Sequence, residues 1–364
     1  MDTAKAFKPG TILLWRKVQR DFEAERILRM FPEARVEIVD RQRLASVPGQ
    51  RNGHPLVAGK RILMIGEASS FVHGFDGCLG GGVRCASYLK LVPVSNGCPY
   101  YCTYCYLGYV YRDYLPFIKM NVNHGCMFNE IREATMDARS MVAFNMGEML
   151  DSLALDHVTL LAEQLVPFFS HLPRGCLMLL TKSSNIDGLL RCTPHPRAVV
   201  SWSLNTPRMI ERYEIGAADL DERIQAARRC QEYGYRIRLR IDPGILYDRW
   251  RTEYTDLLHR ALTVLEPENV TLGMLRLVPA HLGLARQAYP SCAKGLCEAG
   301  LHDKASDGKL RYPSYRRVEF YRFLIDVVRS FRRRMSVNLC RETPDVWSEM
   351  SQVCSPNECN CLAW

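Results

Sequence analysis

The sequence predicts an α/β chain whose core is a partial (β/α)6 barrel of the TIM type, with an N-terminal extension and a Cys-rich C-terminal segment. Three observations carry this. From Tyr88 onward, short β-rich runs and amphipathic helical stretches make six successive strand-led units. Such alternation implies parallel strands joined by right-handed crossovers. A cysteine-rich loop follows the first strand and polar motifs follow the others, at the strand ends where ligand chemistry belongs in folds of this kind. At 364 residues the chain can bury one large core with appendages.

Taken in order, residues 1–87 read as an α/β extension with a helix at 21–30 and strands at 36–40 and 61–65. A basic loop spans 50–60, and the glycine-rich stretch 74–82 reads as a connector. Its Gly80-Gly81-Gly82 end lacks the strand-to-helix setting of a phosphate loop. The core, 88–280, holds strands at 89–94, 141–145, 176–181, 198–204, 236–241 and 270–277, with helices at 151–169, 220–233 and 253–265. The segment 281–364 contains a Gly/Lys/Asp-rich excursion at 295–308, an amphipathic helix within 315–334 and the Cys-rich tail.

Composition narrows the setting. No run of eighteen apolar residues occurs and the first residues lack an apolar signal core, so the expectation is a cytoplasmic protein with no membrane association. Fifteen cysteines then point to metal or redox use, not to a disulfide frame. The net charge of +9, with Arg316-Arg317 and Arg332-Arg333-Arg334, would suit a nucleic acid. The same arginines interleave with Val318, Phe320, Phe323 and Phe331, which equally describes the solvated face of a helix.

The chemistry centres on Cys98-Pro99-Tyr100-Tyr101-Cys102-Thr103-Tyr104-Cys105. Three soft thiolates on one short loop can bind three irons of a [4Fe–4S] cluster and leave the fourth iron open. Zinc usually takes Cys-x2-Cys pairs in fours. The next strand ends carry Asn145-Met146-Gly147-Glu148, Thr181-Lys182, Ser203-Leu204-Asn205 and Asp242-Pro243-Gly244. In the tail, Cys340, Cys354, Cys359 and Cys361 would form a second iron–sulfur or zinc centre, supply a functional thiol, or be incidental. Cys292 and Cys297 could join either role, whereas Cys78 and Cys85 read as spectators.

The Cys-x3-Cys-x2-Cys loop resembles the signature of radical S-adenosylmethionine (SAM) enzymes. That resemblance implies Cys98, Cys102 and Cys105 as cluster ligands and SAM on the open iron. One electron, from a flavodoxin- or ferredoxin-type donor, would cleave SAM to a 5′-deoxyadenosyl radical. Within that superfamily, residues of about 45–330 resemble the spore photoproduct lyases. The resemblance rests on Gly97-Cys98 through Cys105-Tyr106-Leu107, on Asp151 and Asp156-His157-Val158-Thr159, on Thr181-Lys182 and on Ser203-Leu204-Asn205. Its most specific piece is Leu220-Asp221-Glu222-Arg223-Ile224-Gln225-Ala226-Ala227 with Gly234-Tyr235. It implies SAM contacts at Lys182 and Ser203 and hydrogen relay at Tyr106, with Tyr104 also matching. Gly147-Glu148 resembles the superfamily's glycine–glutamate motif that receives the SAM ammonium, and by their strand-end positions Asn205 could hydrogen-bond the ribose or methionine end and Asp242 opens a turn close to the ligand.

One departure stands out. The lyases carry a hydrogen-donating cysteine at a position that falls here on about Glu148, and no cysteine lies between Cys126 and Cys176. Their DNA-contacting hairpin has its best counterpart in Asp307-Gly308-Lys309-Leu310-Arg311-Tyr312. The leading expectation is therefore hydrogen abstraction from a nucleoside, nucleotide or sugar-type small molecule, ending in carbon–carbon bond formation, epimerisation or rearrangement. The alternatives are DNA repair of the lyase kind and a non-enzymatic iron–sulfur protein that binds nucleic acid.

Overall fold

A computed structural model describes residues 7–42, 54–80, 82–83, 85–111, 115–354 and 359–362. Residues 50–53 of the expected basic loop, Gly81 and the side chain of Cys297 lie outside that description.

The main sheet is built from β1 (Tyr88–Leu91), β2 (Val142–Asn145), β3 (Gly175–Thr181), β4 (Ala198–Ser203), β5 (Arg236–Gly244), β6 (Asn269–Met274) and β7 (Ser336–Leu339). They pair in that order, each parallel to the next, and the strand Val72–Phe75 lies antiparallel on the outer edge of β1. The sheet ends on β7 at one side and on Val72–Phe75 at the other, so the barrel is partial. Sequence explains the parallel arrangement. Strands covered on both faces read as continuous apolar runs, and Ala-Val-Val-Ser-Trp-Ser of β4 is buried throughout.

Helices fill the crossovers. Leu220–Tyr233, between β4 and β5, begins with a reciprocal capping box of Asp219 and Glu222. It ends at Gly234, whose φ of +113° is open to glycine without strain. Trp250–Val264 joins β5 to β6, and the long helix Ser314–Phe331 leads into β7.

The six expected core strands are present within a few residues of their predicted limits. A seventh, β7, was not foreseen. Sheet pairing crosses the borders between the segments 1–87, 88–280 and 281–364. Ile118–Asn121 and Val94–Ser95 complete a second sheet with Thr11–Trp15, Arg35–Val39 and Ile62–Gly66 from the N-terminal segment. β7, from the C-terminal segment, completes the barrel edge.

The tail enters the barrel. Cys359 and Cys361 pack among Ala143 of β2, Cys176 and Met178 of β3, and Val199 of β4. Buried Arg238 of β5 donates to the carbonyls of Asn360 (3.1 Å) and Leu362 (2.6 Å). The Asn360 amide donates in turn to the Leu239 carbonyl at 2.9 Å. Residues 359–362 thus take the place of core side chains beneath the strand ends.

Candidate active site

The cysteine loop is clamped from three sides. Tyr101–Cys102 pairs antiparallel with Glu214–Ile215, and the Thr103 amide donates to the Tyr213 carbonyl at 3.0 Å. From the helix Pro279–Ala288, buried His281 lies 2.9 Å from the Thr103 carbonyl through Nε2. That acceptor fixes Nε2 as the protonated nitrogen. Lys60 donates to the carbonyl of Cys98.

Held this way, Cys98, Cys102 and Cys105 line one cleft together with Tyr104 and Tyr106. Burial pushes the Cys98 thiol up to about 12 against the opposing charge of Lys60, and raises Cys102 well above its ordinary value. A metal reverses this by replacing the protons. Among the described residues no three His, Cys, Asp or Glu side chains close on a single ion. Three thiols spread along a cleft wall fit a multi-iron cluster, in which each iron takes one sulfur.

The other strand ends converge on the same cleft. Gly147 follows β2 where an added Cβ would come within 2.3 Å of the Leu180 Cβ, so only glycine lets this turn lie against β3. Asp151 ties the two strand ends together. One carboxylate oxygen accepts from the Leu153 and Ala154 amides (3.0 and 2.9 Å) and from the Thr181 hydroxyl (2.6 Å), and the other accepts from the Lys182 amide at 2.7 Å.

Lys182 extends over the Tyr104 ring, 6.0 Å from its centre, and makes no ion pair among the described residues. The Tyr104 hydroxyl donates to Glu214, which is paired with fully buried Arg223. Burial alone would raise Glu214, but Arg223 and Lys182 outweigh it and hold the carboxyl below its ordinary range.

Ser203 and Asp242 also line the cleft, the Ser203 hydroxyl donating to the Asp242 carbonyl at 3.4 Å. The Asp242 carboxylate is forked by Arg276 at 3.0 Å to each oxygen and gripped by Arg240 at 2.7 Å. Its burial is overcome by those two guanidiniums, and it stays ionised far below the usual range. Asn205 departs from expectation. It is fully buried, donates to the Pro243 carbonyl at 2.9 Å and accepts from the Tyr254 hydroxyl at 3.0 Å, so it braces the end of β4 against the end of β5 and the helix Trp250–Val264.

Glu148 is engaged by Arg341, which follows β7 and holds the left-handed conformation at φ +53°. The Tyr106 hydroxyl donates to the Glu148 carbonyl at 3.1 Å and lies 3.5 Å from its carboxylate. Burial would raise Glu148, yet Arg341 and Arg240 keep it lowered.

The tail cysteines divide. Cys340 accepts from Arg240 at 2.8 Å and Cys361 from the Asn145 amide at 3.3 Å, both directly behind the cleft wall. Cys359 hydrogen-bonds Cys361, and Cys85, expected to be a spectator, packs with this group. Cys354 lies apart, its thiol bonded to the Met350 carbonyl at 3.4 Å. Burial pushes Cys340 up to about 12.

Residues 7–300 match the family model described as spore photoproduct lyase. The chain belongs to the spore photoproduct lyase family. It is thus a radical SAM enzyme of lyase type, with a [4Fe–4S] cluster and SAM as cofactors. The spore photoproduct lyase of Clostridium acetobutylicum is 26% identical over 253 residues, 68% of this chain and 73% of that protein. That of Bacillus subtilis strain 168 is 24% identical over 225 residues, 62% of this chain and 63% of its own length.

Solved spore photoproduct lyases share the fold. One complexed with dinucleoside spore photoproduct superposes with a TM-score of 0.78 at 19% identity, covering 91% of this chain and 98% of the other. A mutant with bound AdoMet and dinucleoside spore photoproduct gives 0.77 at 19% identity over 93% and 99%. No helix among the described residues is long and apolar enough to cross a membrane.

Sequence reasoning missed the arginines Arg240, Arg276 and Arg341 that organise the cleft. Their signal was present, in that each sits within a few residues of a strand end. The non-enzymatic alternative is set aside by the family assignment.

Proposed function

We propose that the enzyme repairs a thymine photoproduct in DNA. The family assignment supports this, and so does one structural observation: the three-cysteine loop, Lys182, Ser203, Asp242 and Tyr106 all line a single cleft. Cys98, Cys102 and Cys105 would hold the cluster, with Gly147, Lys182, Ser203 and Asp242 around SAM. When bound, the cluster and SAM supply a carbon radical able to take hydrogen from a substrate.

The chain's own residues do the rest. Lys182 brings an unpaired ammonium to the cleft for the SAM carboxylate. Tyr106 keeps its hydroxyl proton on the Glu148 carbonyl, beside the reacting space. The net charge of +9 favours a polyanion. A flavodoxin- or ferredoxin-type protein would supply the electron in a cytoplasmic setting.

The test is to incubate reconstituted protein with dithionite, SAM and a dinucleotide spore photoproduct. Release of the unmodified thymine dinucleotide supports the reading. A protein that forms 5′-deoxyadenosine while leaving the photoproduct intact would rule it out. A second reading, a nucleoside, nucleotide or sugar-type small molecule, is favoured by one observation. The position aligned with the lyases' donor cysteine holds Glu148, locked by Arg341, and a carboxylate is no hydrogen-atom donor.

A further inference from the structure

The cysteine loop has a second side. Cys102 and Cys105 line the cleft and also a smaller cavity walled by Lys60, Asn96 and the helix Pro279–Ala288. Two carboxylates act on the cysteine sulfurs, Asp151 on Cys98 and Glu214 on Cys102. Both are committed, Asp151 to backbone amides and Thr181, and Glu214 to Arg223 and Tyr104. Of the two ammonium groups, Lys182 faces the cleft, where SAM is proposed to bind. Lys60 remains. It donates to the Cys98 carbonyl and has no carboxylate partner among the described residues. Among the charges acting on the Cys98 sulfur, that of Lys60 is the largest.

The backbone pins Lys60 at this place. The helix Pro55–Gly59 ends on Gly59, where an added Cβ would lie 1.7 Å from the Pro116 carbonyl oxygen, so only glycine allows the approach. The Arg61 amide donates to the Ala58 carbonyl at 3.1 Å, and the Arg61 carbonyl accepts from the Gly10 amide at 2.8 Å. The strand Ile62–Gly66 follows at once, buried throughout and parallel to Ile118–Asn121. Lys60 thus projects from a fixed corner onto the cluster loop.

Reduction adds one negative charge to a cluster already held by three thiolates. A nearby cation stabilises the more negative state, and more so where water is excluded. Charge and hydrogen bonding around the ligands are among the levers that set iron–sulfur potentials.

We propose that Lys60 tunes the reduction potential of the cluster, its charge raising the potential so that the electron is more readily accepted. This rests on the placement of the cluster on Cys98, Cys102 and Cys105. The step is the transfer of one electron from a flavodoxin- or ferredoxin-type donor, with no bond made or broken. Lys60 acts through the cluster loop and is a positioning residue.

Redox titration of the iron-loaded protein without SAM, followed by the EPR signal of the reduced cluster, tests this. Lys60→Gln keeps a hydrogen-bond donor for the Cys98 carbonyl and drops the charge. It should make reduction about tenfold less favourable, a midpoint lower by about 59 mV for one electron, at unchanged iron content. Lys60→Arg should stay near the wild-type midpoint. A midpoint unmoved in Lys60→Gln, or moved alike in Lys60→Arg, overturns the proposal.

Lys60→Met is the second uncharged variant, titrated in the same way if Lys60→Gln takes up no iron. Loss of iron from both would show that the residue only holds the loop, and would overturn the proposal as well. A wild-type protein whose iron survives Cys98→Ala would overturn the placement of the cluster first, and the role of Lys60 with it.

Discussion

Arg341 grips the carboxylate of Glu148 across the mouth of the sheet, joining the end of β7 to the end of β2 with both side chains about nine-tenths buried. A buried pair of this kind is weak evidence of net stability, but removing one partner strands a charge. Arg341→Ala should therefore destabilise the fold by roughly 3–5 kcal/mol in urea unfolding, and the double replacement Arg341→Met with Glu148→Leu should recover most of that. A single substitution without effect would show that the pair does not hold the two strand ends.

Asp151 offers a second lever, because its four accepted hydrogen bonds set the turn after β2 and the backbone of Lys182. Asp151→Ala should cost roughly 2–4 kcal/mol, since several buried donors lose their acceptor at once. It should also weaken SAM binding, measured by equilibrium dialysis, through displacement of Lys182. Unchanged affinity would mean that Lys182 is placed by other contacts.

Iron content separates the cysteines. Substituting Cys98, Cys102 or Cys105 by Ala should empty the cluster site, whereas Cys354→Ala should leave iron at the wild-type level. In the tail, Cys340 and Cys361 accept hydrogen bonds from Arg240 and Asn145, and Cys354 lies apart, bonded to the Met350 carbonyl. About four irons per chain are therefore expected, and about eight would place a second cluster at the tail.

Buried Asp156 should leave a mark on the pH profile. Burial raises its carboxyl from the ordinary 3.8 to about 6, against the hydrogen bond from the Ala162 amide. A folded-state value above the unfolded one means the folded chain holds the proton more tightly. The contribution is full below about pH 4 and is lost as pH rises towards 6, about 3 kcal/mol in all. Asp156→Asn should remove that part of the slope in urea midpoints taken from pH 4 to 7. Parallel profiles for both proteins would refute the assignment.

How much of this was legible in the sequence depended on pattern length. Most strands of the core announce themselves because parallel strands buried on both faces carry apolar runs, as in Leu177 to Leu179. β7 was hidden, since Ser336-Val337-Asn338-Leu339 is four residues long and follows a charged helix end. With it Arg341 was lost from view. The cysteine loop, Lys182, Ser203 and Asp242 line one cleft, a convergence that local spacing and position at a strand end are enough to suggest. Spacing alone does not show that the Asn205 side chain is bonded to Pro243 and Tyr254. The tail defeated sequence reasoning differently. Cys85 and Cys354 exchange roles because long-range threading of 359–362 into the barrel decides which thiols meet.

The most direct measurement is the 5′-deoxyadenosine formed from SAM under dithionite by protein carrying about four irons per chain. Steady formation that disappears in Cys98→Ala is expected. No 5′-deoxyadenosine from fully iron-loaded wild-type protein would contradict it.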